Sequence, residues 1–206
     1  MLLCNCKEGR KQLESRVASL PYYQEASFTP FWFEKGTTAQ QTFHQIPAFS
    51  LTNQEGEIIT EATFEGKIYI TDFFFTSCPG ICPKMTANMD ILQEEFKDDD
   101  EVLLLSHTVT PEIDSVAVLK RYAETKGIDS KKWHLVTGDR AQIYNLGRNH
   151  YFVEEDLGET KSADDFLHTE NFVLIDKNRQ IRGIYNGLNK TAIQQLIADI
   201  KTLKKE

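Results

Sequence analysis

Residues 67–75 (Lys-Ile-Tyr-Ile-Thr-Asp-Phe-Phe-Phe) are the most restrictive stretch of this sequence. β-branched and aromatic residues crowd it without polar–apolar alternation, the pattern of a strand buried on both faces. Such a strand needs a covering layer on each side, and the chain must supply both. With 206 residues it is the size of one ordinary domain plus a tail, and thirteen Phe and seven Tyr provide bulk for the core. The run leads directly into Cys78-Pro79-Gly80-Ile81-Cys82-Pro83, so a buried strand delivers two thiols to its carboxyl end.

The elements around this strand define a fold class. Residues 49–52 and 58–60 flank Asn53-Gln54-Glu55-Gly56 and read as a hairpin. Met85, Met89, Leu92 and Phe96 give helical spacing over 83–97. A second buried strand follows at 102–105, then a helix at about 112–126 that Gly127 terminates. Residues 135–136 form a short strand and 140–147 a helix. Residues 171–176 and 181–185 pair around the Lys177-Asn178 turn, and a last amphipathic helix covers about 191–203. Strand–helix–strand–helix, then a hairpin and a final helix, is the order of an α/β thioredoxin-like fold. The opening hairpin is an N-terminal addition. That fold places a dithiol between its first core strand and the following helix, where Cys78 and Cys82 stand.

Three residues separate these cysteines, not the two of an ordinary thioredoxin motif. With Cys78 at the helix start, positions i and i+4 share one face with Cβ atoms about 5–6 Å apart. Such a pair can close into a disulfide with some adjustment or direct two sulfurs at one soft metal ion. The helix N-terminus lowers a thiol pKa, and a thiolate serves both as nucleophile and as ligand. The opposing reading, two inert buried cysteines, sits poorly with Pro79, Gly80 and Pro83, which mark a shaped turn.

Disulfide oxidoreductases of this fold use a cis-proline facing the dithiol, just before the third core strand. The six prolines here are 21, 30, 47, 79, 83 and 111, so none is available there. Phe166-Leu167-His168-Thr169 occupies that place, and an imidazole at 168 is positioned to face both sulfurs. Two thiolates and one imidazole suit copper: thiolate favours Cu(I), while nitrogen keeps Cu(II) accessible. Zinc prefers a fourth donor, and the sequence offers no obvious one. A thiol peroxidase needs an arginine or similar group beside the reactive Cys, and none adjoins Cys78. His107 lies at the carboxyl end of the second strand, either as an auxiliary group near the metal or, the plainer reading, as a structural histidine. His44, His134 and His150 have no visible partner.

The net charge of −8 lacks the cationic footprint of a nucleic-acid binder, and no apolar run reaches the length of a membrane span. Residues 1–41 read as a tether, carrying the aromatic patch Tyr22, Tyr23, Phe28, Phe31, Trp32 and Phe33; residues 42–206 form the domain. Met1-Leu2-Leu3-Cys4-Asn5-Cys6 has the look of a lipoprotein signal end, with Cys4 or Cys6 as the lipidated residue, although Leu3 and Asn5 are larger than usual before such a Cys; a truncated start is the alternative.

At these residues the sequence resembles the Sco/SenC family of copper-binding assembly proteins for cytochrome c oxidase, over about 46–203. The resemblance rests on Phe73-Phe74-Phe75-Thr76-Ser77-Cys78-Pro79-Gly80-Ile81-Cys82-Pro83-Lys84-Met85 and on the distant His168, with support from Trp133-His134-Leu135-Val136-Thr137-Gly138 and Leu174-Ile175-Asp176. It implies a thioredoxin-like metallochaperone, tethered to the membrane on the periplasmic side, that holds copper (Cu(I)/Cu(II)) through Cys78, Cys82 and His168. Its partner would be the copper-bearing subunit of the oxidase or another copper chaperone, and the chain would be a monomer. A thiol–disulfide reductase acting on a copper-site disulfide is the competing function. Three positions depart from the family: Thr110 replaces the Asp of an Asp-Pro pair, Phe74 a common Gly, and Ser77 a frequent His. None removes a candidate ligand.

Overall fold

The computed structural model describes residues 14–154, 167 and 169–206. Its strands are β1 (Ser50–Asn53), β2 (Ile58–Thr60), β3 (Ile68–Phe74), β4 (Val102–Thr108), β5 (Trp133–Thr137), β6 (Asn171–Ile175) and β7 (Ile181–Asn186). The helices are α1 (Thr38–Gln41), α2 (Cys82–Glu95), α3 (Val116–Lys126), α4 (Arg140–Asn145) and α5 (Lys190–Leu203). One sheet of seven strands runs β2-β1-β5-β4-β3-β6-β7. The three central strands are parallel, and antiparallel pairs flank them: β1 on β5, and β6 on β3.

All seven residues of β3 are buried, as a strand without alternation requires. Successive side chains go to opposite faces, and the two faces carry separate cores. Ile68, Ile70 and Phe74 point to one core, where Met85, Met89 and Leu92 of α2 meet Leu196 and Ile200 of α5. Tyr69 and Phe73 point to the other, with Phe49, Phe64, Ile143 and Tyr151. The hairpin β1–β2 extends the sheet beside β5, so the N-terminal addition lengthens the sheet instead of standing apart from it.

Two helices depart from their expected bounds. The helix anticipated from 112 begins only at Val116, because residues 111–113 form a turn in which the N–H groups of Ile113 and Asp114 close onto the Thr110 carbonyl. It ends at Gly127, whose φ of 70° is a left-handed conformation that favours glycine. The helix anticipated over 140–147 stays α-helical to Asn145 and then widens into a π turn, Leu146–His150. A Cβ on Gly147 would lie 2.6 Å from Leu167 Cδ1 and 3.0 Å from Phe73 Cε1, so only hydrogen fits where this turn meets β3.

The segment before the domain packs against it. Tyr22 pairs with Phe31 and Tyr23 with Ile181 of β7. The rings of Tyr22, Phe33 and Phe43 cluster at 4.9–6.3 Å, while Trp32 stays exposed. Arg182 of β7 holds this segment from below. Its guanidinium donates to the carbonyls of Leu20 and Pro21, pairs with Asp176 and Glu206, and lies 3.9 Å from the Tyr22 ring centroid. Breaking a buried ion pair leaves an uncompensated charge, here Asp176. Arg182→Ala is therefore expected to lose about 3–5 kcal/mol in urea unfolding, and to expose residues 20–33 to limited proteolysis.

Candidate functional site

The parallel strands β3, β4 and β5 end at one edge of the sheet, the edge where ligands bind in open α/β folds. Cys78 follows β3 in a turn, and Cys82 opens α2. The two cysteines are therefore not on one helical face, as their spacing predicted. Pro79 and Gly80 bend the chain first, and the helix begins only at the second cysteine. Ile81 precedes α2 and has no side-chain acceptor for the free N–H groups of the first turn. At that entry the sulfur of Cys78 accepts the N–H groups of Gly80 and Ile81 before the helix, the N–H of Cys82 at its first position, and the Cys82 thiol proton. Cys78 is partly exposed and Cys82 buried, and neither is in a disulfide.

These contacts drive the thiols apart in acidity. Partial burial raises the pKa of Cys78, but the three N–H groups and the Cys82 thiol outweigh it, and the net shift is downward. Cys82 is pushed up to about 12, first by burial and then by the hydrogen bond to Cys78, with the negative charges of Cys78 and Asp72 adding to it. Cys78 is thus the more acidic and more exposed thiol, and Cys82 the buried one that holds its proton.

Asp72 lies beneath this pair, a carboxyl group inside a strand buried along its whole length. Burial raises its pKa to about 7 against an opposing hydrogen bond from Ser106, its register partner on β4. Ser106 also accepts the indole N–H of Trp133 on β5 at 2.8 Å, so a polar relay crosses three strands under the dithiol. A second buried carboxylate, Asp114, accepts the N–H and the hydroxyl of Thr76, two residues before Cys78, at 3.1 and 2.5 Å. The sequence reading missed both acids. A single Asp in an otherwise apolar strand was signal enough for Asp72; Asp114 had no comparable mark, because its partners come from two strand ends.

The third candidate ligand, His168, lies outside the described residues, as do Cys4 and Cys6. Its neighbours can be placed. Leu167 packs in the core with Phe73 and Gly147. Glu170 accepts the Gly187 N–H at 2.7 Å, and Asn88 of α2 donates to the Gly187 carbonyl. The chain on both sides of position 168 is thereby tied to β3 and to the dithiol helix. Among the described residues no group of three or more His, Cys, Asp or Glu is gathered to hold a metal.

His107 is not at the site. It stacks on Phe73 at 4.7 Å in the core of the opposite face, with Nδ1 at 3.1 Å from the Thr71 hydroxyl and, among the described residues, no partner on Nε2. Burial lowers its pKa to about 3, so it is a neutral structural ring. His44 bonds the His150 carbonyl at 2.8 Å and stacks on its ring, and His134 contacts Asn53.

The sequence model of the SCO1/SenC family matches residues 37–205. The chain belongs to the SCO1/SenC family. Among solved structures it is similar to a SCO1/SenC family lipoprotein from Bacillus anthracis, at 29% identity and a TM-score of 0.67, over 78% of this chain and 95% of that one. It is similar to BsSco, described as having a disulfide switch and as a member of the Sco family of cytochrome c oxidase assembly proteins, at 27% identity and a TM-score of 0.65, over 78% and 93%. Copper-bound ScoI of Bradyrhizobium japonicum shares 27% identity with a TM-score of 0.59, over 76% and 98%. The thioredoxin-like fold read from the element order is the fold of these proteins.

The pKa of Asp72 sets a pH dependence. A carboxyl that ionises only near pH 7 in the folded state, but well below that when unfolded, makes the fold lose stability as pH rises between those values. Asp72→Asn removes this loss. Urea unfolding should show the variant gaining on the parent protein from pH 5 to pH 8, and a constant difference would refute the assignment. His107 acts in the opposite direction: it is neutral in the fold, so its contribution is present above its unfolded pKa and is lost as pH falls toward 3.

Proposed function

We propose that this chain is a copper metallochaperone that holds one copper ion through Cys78, Cys82 and His168 and assists assembly of the copper centre of cytochrome c oxidase. The observation that carries the reading is the paired thiols, set side by side over the N-terminus of α2 at a partly exposed turn. Two sulfurs reach a common point, and one is already biased toward the thiolate that a soft cation requires. The copper-bound relative and the oxidase-assembly description of BsSco support the choice of metal and target.

The acidity split has a consequence for the cargo. Cys82 must give up its proton to become a ligand, so copper uptake near neutral pH releases a proton, and affinity rises with pH. His168 enters this reading from the sequence, as the imidazole standing where the fold usually has proline. The partner is the copper-bearing subunit of the oxidase or another copper chaperone, and the chain acts as a monomer. A lipid on Cys4 or Cys6 tethers it on the outer side of the cytoplasmic membrane; the B. anthracis relative is a lipoprotein. Among the described residues no helix is long and apolar enough to cross a membrane.

The same acidity split favours a second activity, reduction of a disulfide in the target. The Cys78 thiolate attacks one sulfur of that disulfide and expels the other as a thiol after protonation. Cys82 then attacks the mixed disulfide and releases the second target thiol. Two electrons pass to the target, and Cys78–Cys82 is left oxidised.

Copper titration of the reduced protein should reach one ion per chain. Cys78→Ser and Cys82→Ser should abolish tight binding, and His168→Ala should weaken it and alter the Cu(II) electron paramagnetic resonance spectrum. An unchanged affinity and spectrum in His168→Ala would remove the histidine from the site. Sustained insulin reduction by copper-free protein that takes up no copper would favour the reductase alone.

A further inference from the structure

Asp114 is fully buried, and among the described residues no cation pairs with it. A carboxylate held this way needs compensation for its lost hydration. Three threonines provide it. Thr76 gives its N–H at 3.1 Å and its hydroxyl at 2.5 Å; Thr108 gives its hydroxyl at 2.5 Å and Thr110 its hydroxyl at 3.1 Å. Thr108 is the last residue of β4, and its own oxygen accepts the Thr110 N–H at 3.1 Å. The Asp114 N–H closes the turn onto the Thr110 carbonyl at 2.8 Å. One carboxylate thus ties the turn after β3 to the turn after β4.

The contact with Thr76 is the one with chemical reach. Bonding both N–H and hydroxyl fixes backbone and side chain together, two residues before Cys78. The next link is the Cys78 N–H, which donates to the Phe75 carbonyl at 3.3 Å. Thr110 contributes a hydroxyl donor to Asp114, so the turn carries one carboxylate with three hydroxyls on it.

We propose that Asp114 is a positioning residue for Cys78, acting through Thr76 to hold the sulfur over the N–H groups of Gly80, Ile81 and Cys82 at the entry to α2 and beside the Cys82 thiol. The inference rests on the reading of Cys78 as a copper ligand. It adds the means by which a ligand on a turn, outside regular structure, keeps its place. A loop staple with no bearing on the thiol would make the same hydrogen bonds, so the test must read the sulfur as well as stability.

Three variants separate these roles. Asp114→Asn keeps the shape but removes the charge and half the acceptor capacity. Thr76→Val removes only the hydroxyl donor, and Thr76→Ser retains both donors. Two readouts are needed: Cys78 alkylation by iodoacetamide in copper-free protein at fixed pH, and copper titration with the Cu(II) spectrum. Asp114→Asn and Thr76→Val should slow alkylation, weaken copper binding by about ten- to hundredfold, as loss of groups that orient a ligand typically does, and shift the Cu(II) spectrum. Thr76→Ser should restore all three. Folded variants with parental alkylation rates and copper spectra would overturn the proposal. If Asp114→Asn fails to fold, the Thr76 pair decides the question by itself. If the parent protein takes up no copper, the copper reading fails, while the alkylation rates still judge Asp114.

Discussion

Seven consecutive buried residues make β3 the axis of this molecule, and everything proposed for the site hangs from its carboxyl end. A strand sealed on both faces cannot slip in register, because a shift of one residue would exchange the side chains of two separate cores. The turn leaving it therefore starts from a defined point. Phe74 pairs with Thr108 at the last step of the β3–β4 ladder, and both turns depart from there. The dithiol inherits its position from that ladder.

The site is built by giving unusual partners to groups that would otherwise be unsatisfied. The entry to α2 has no polar cap, and the Cys78 sulfur accepts the N–H groups of Gly80, Ile81 and Cys82 there. That single arrangement favours a thiolate at Cys78 and leaves the proton on Cys82. Beneath and beside it are two buried carboxylates whose hydrogen bonds come from hydroxyls and a backbone N–H, not from cations. Two thiols so placed have the chemistry either to ligate a soft metal or to exchange with a disulfide.

Much of this was legible in the chain. The strand at 67–75, the spacing of Met85, Met89 and Leu92, the Gly127 stop and the hairpin of 171–185 all follow from local periodicity and turn chemistry, and all appear where expected. The cysteines were found because a Pro/Gly-shaped turn after a buried strand is a local pattern. What failed was equally specific. Residues 78–82 read as helix from i, i+4 spacing, yet Pro79 and Gly80 keep the first cysteine out of it. The place of His107 at a strand's end left two readings open, and strand alternation turns the ring to the opposite face, against Phe73, which is the plainer of the two.

By itself, then, the sequence determined where two thiols follow a buried strand and in what order the elements occur, because both are written in short-range patterns of residue type. Tertiary structure decided how those residues act. Asp72 meets Ser106 only because β3 lies beside β4 in one register, and Asp114 reaches Thr76 only because two turns leave the same sheet edge. The unequal acidities of Cys78 and Cys82 likewise arise from burial and from N–H groups gathered by the bend before α2. Desolvation and hydrogen bonding between segments far apart in the chain depend on distance in space, and only the fold sets that distance.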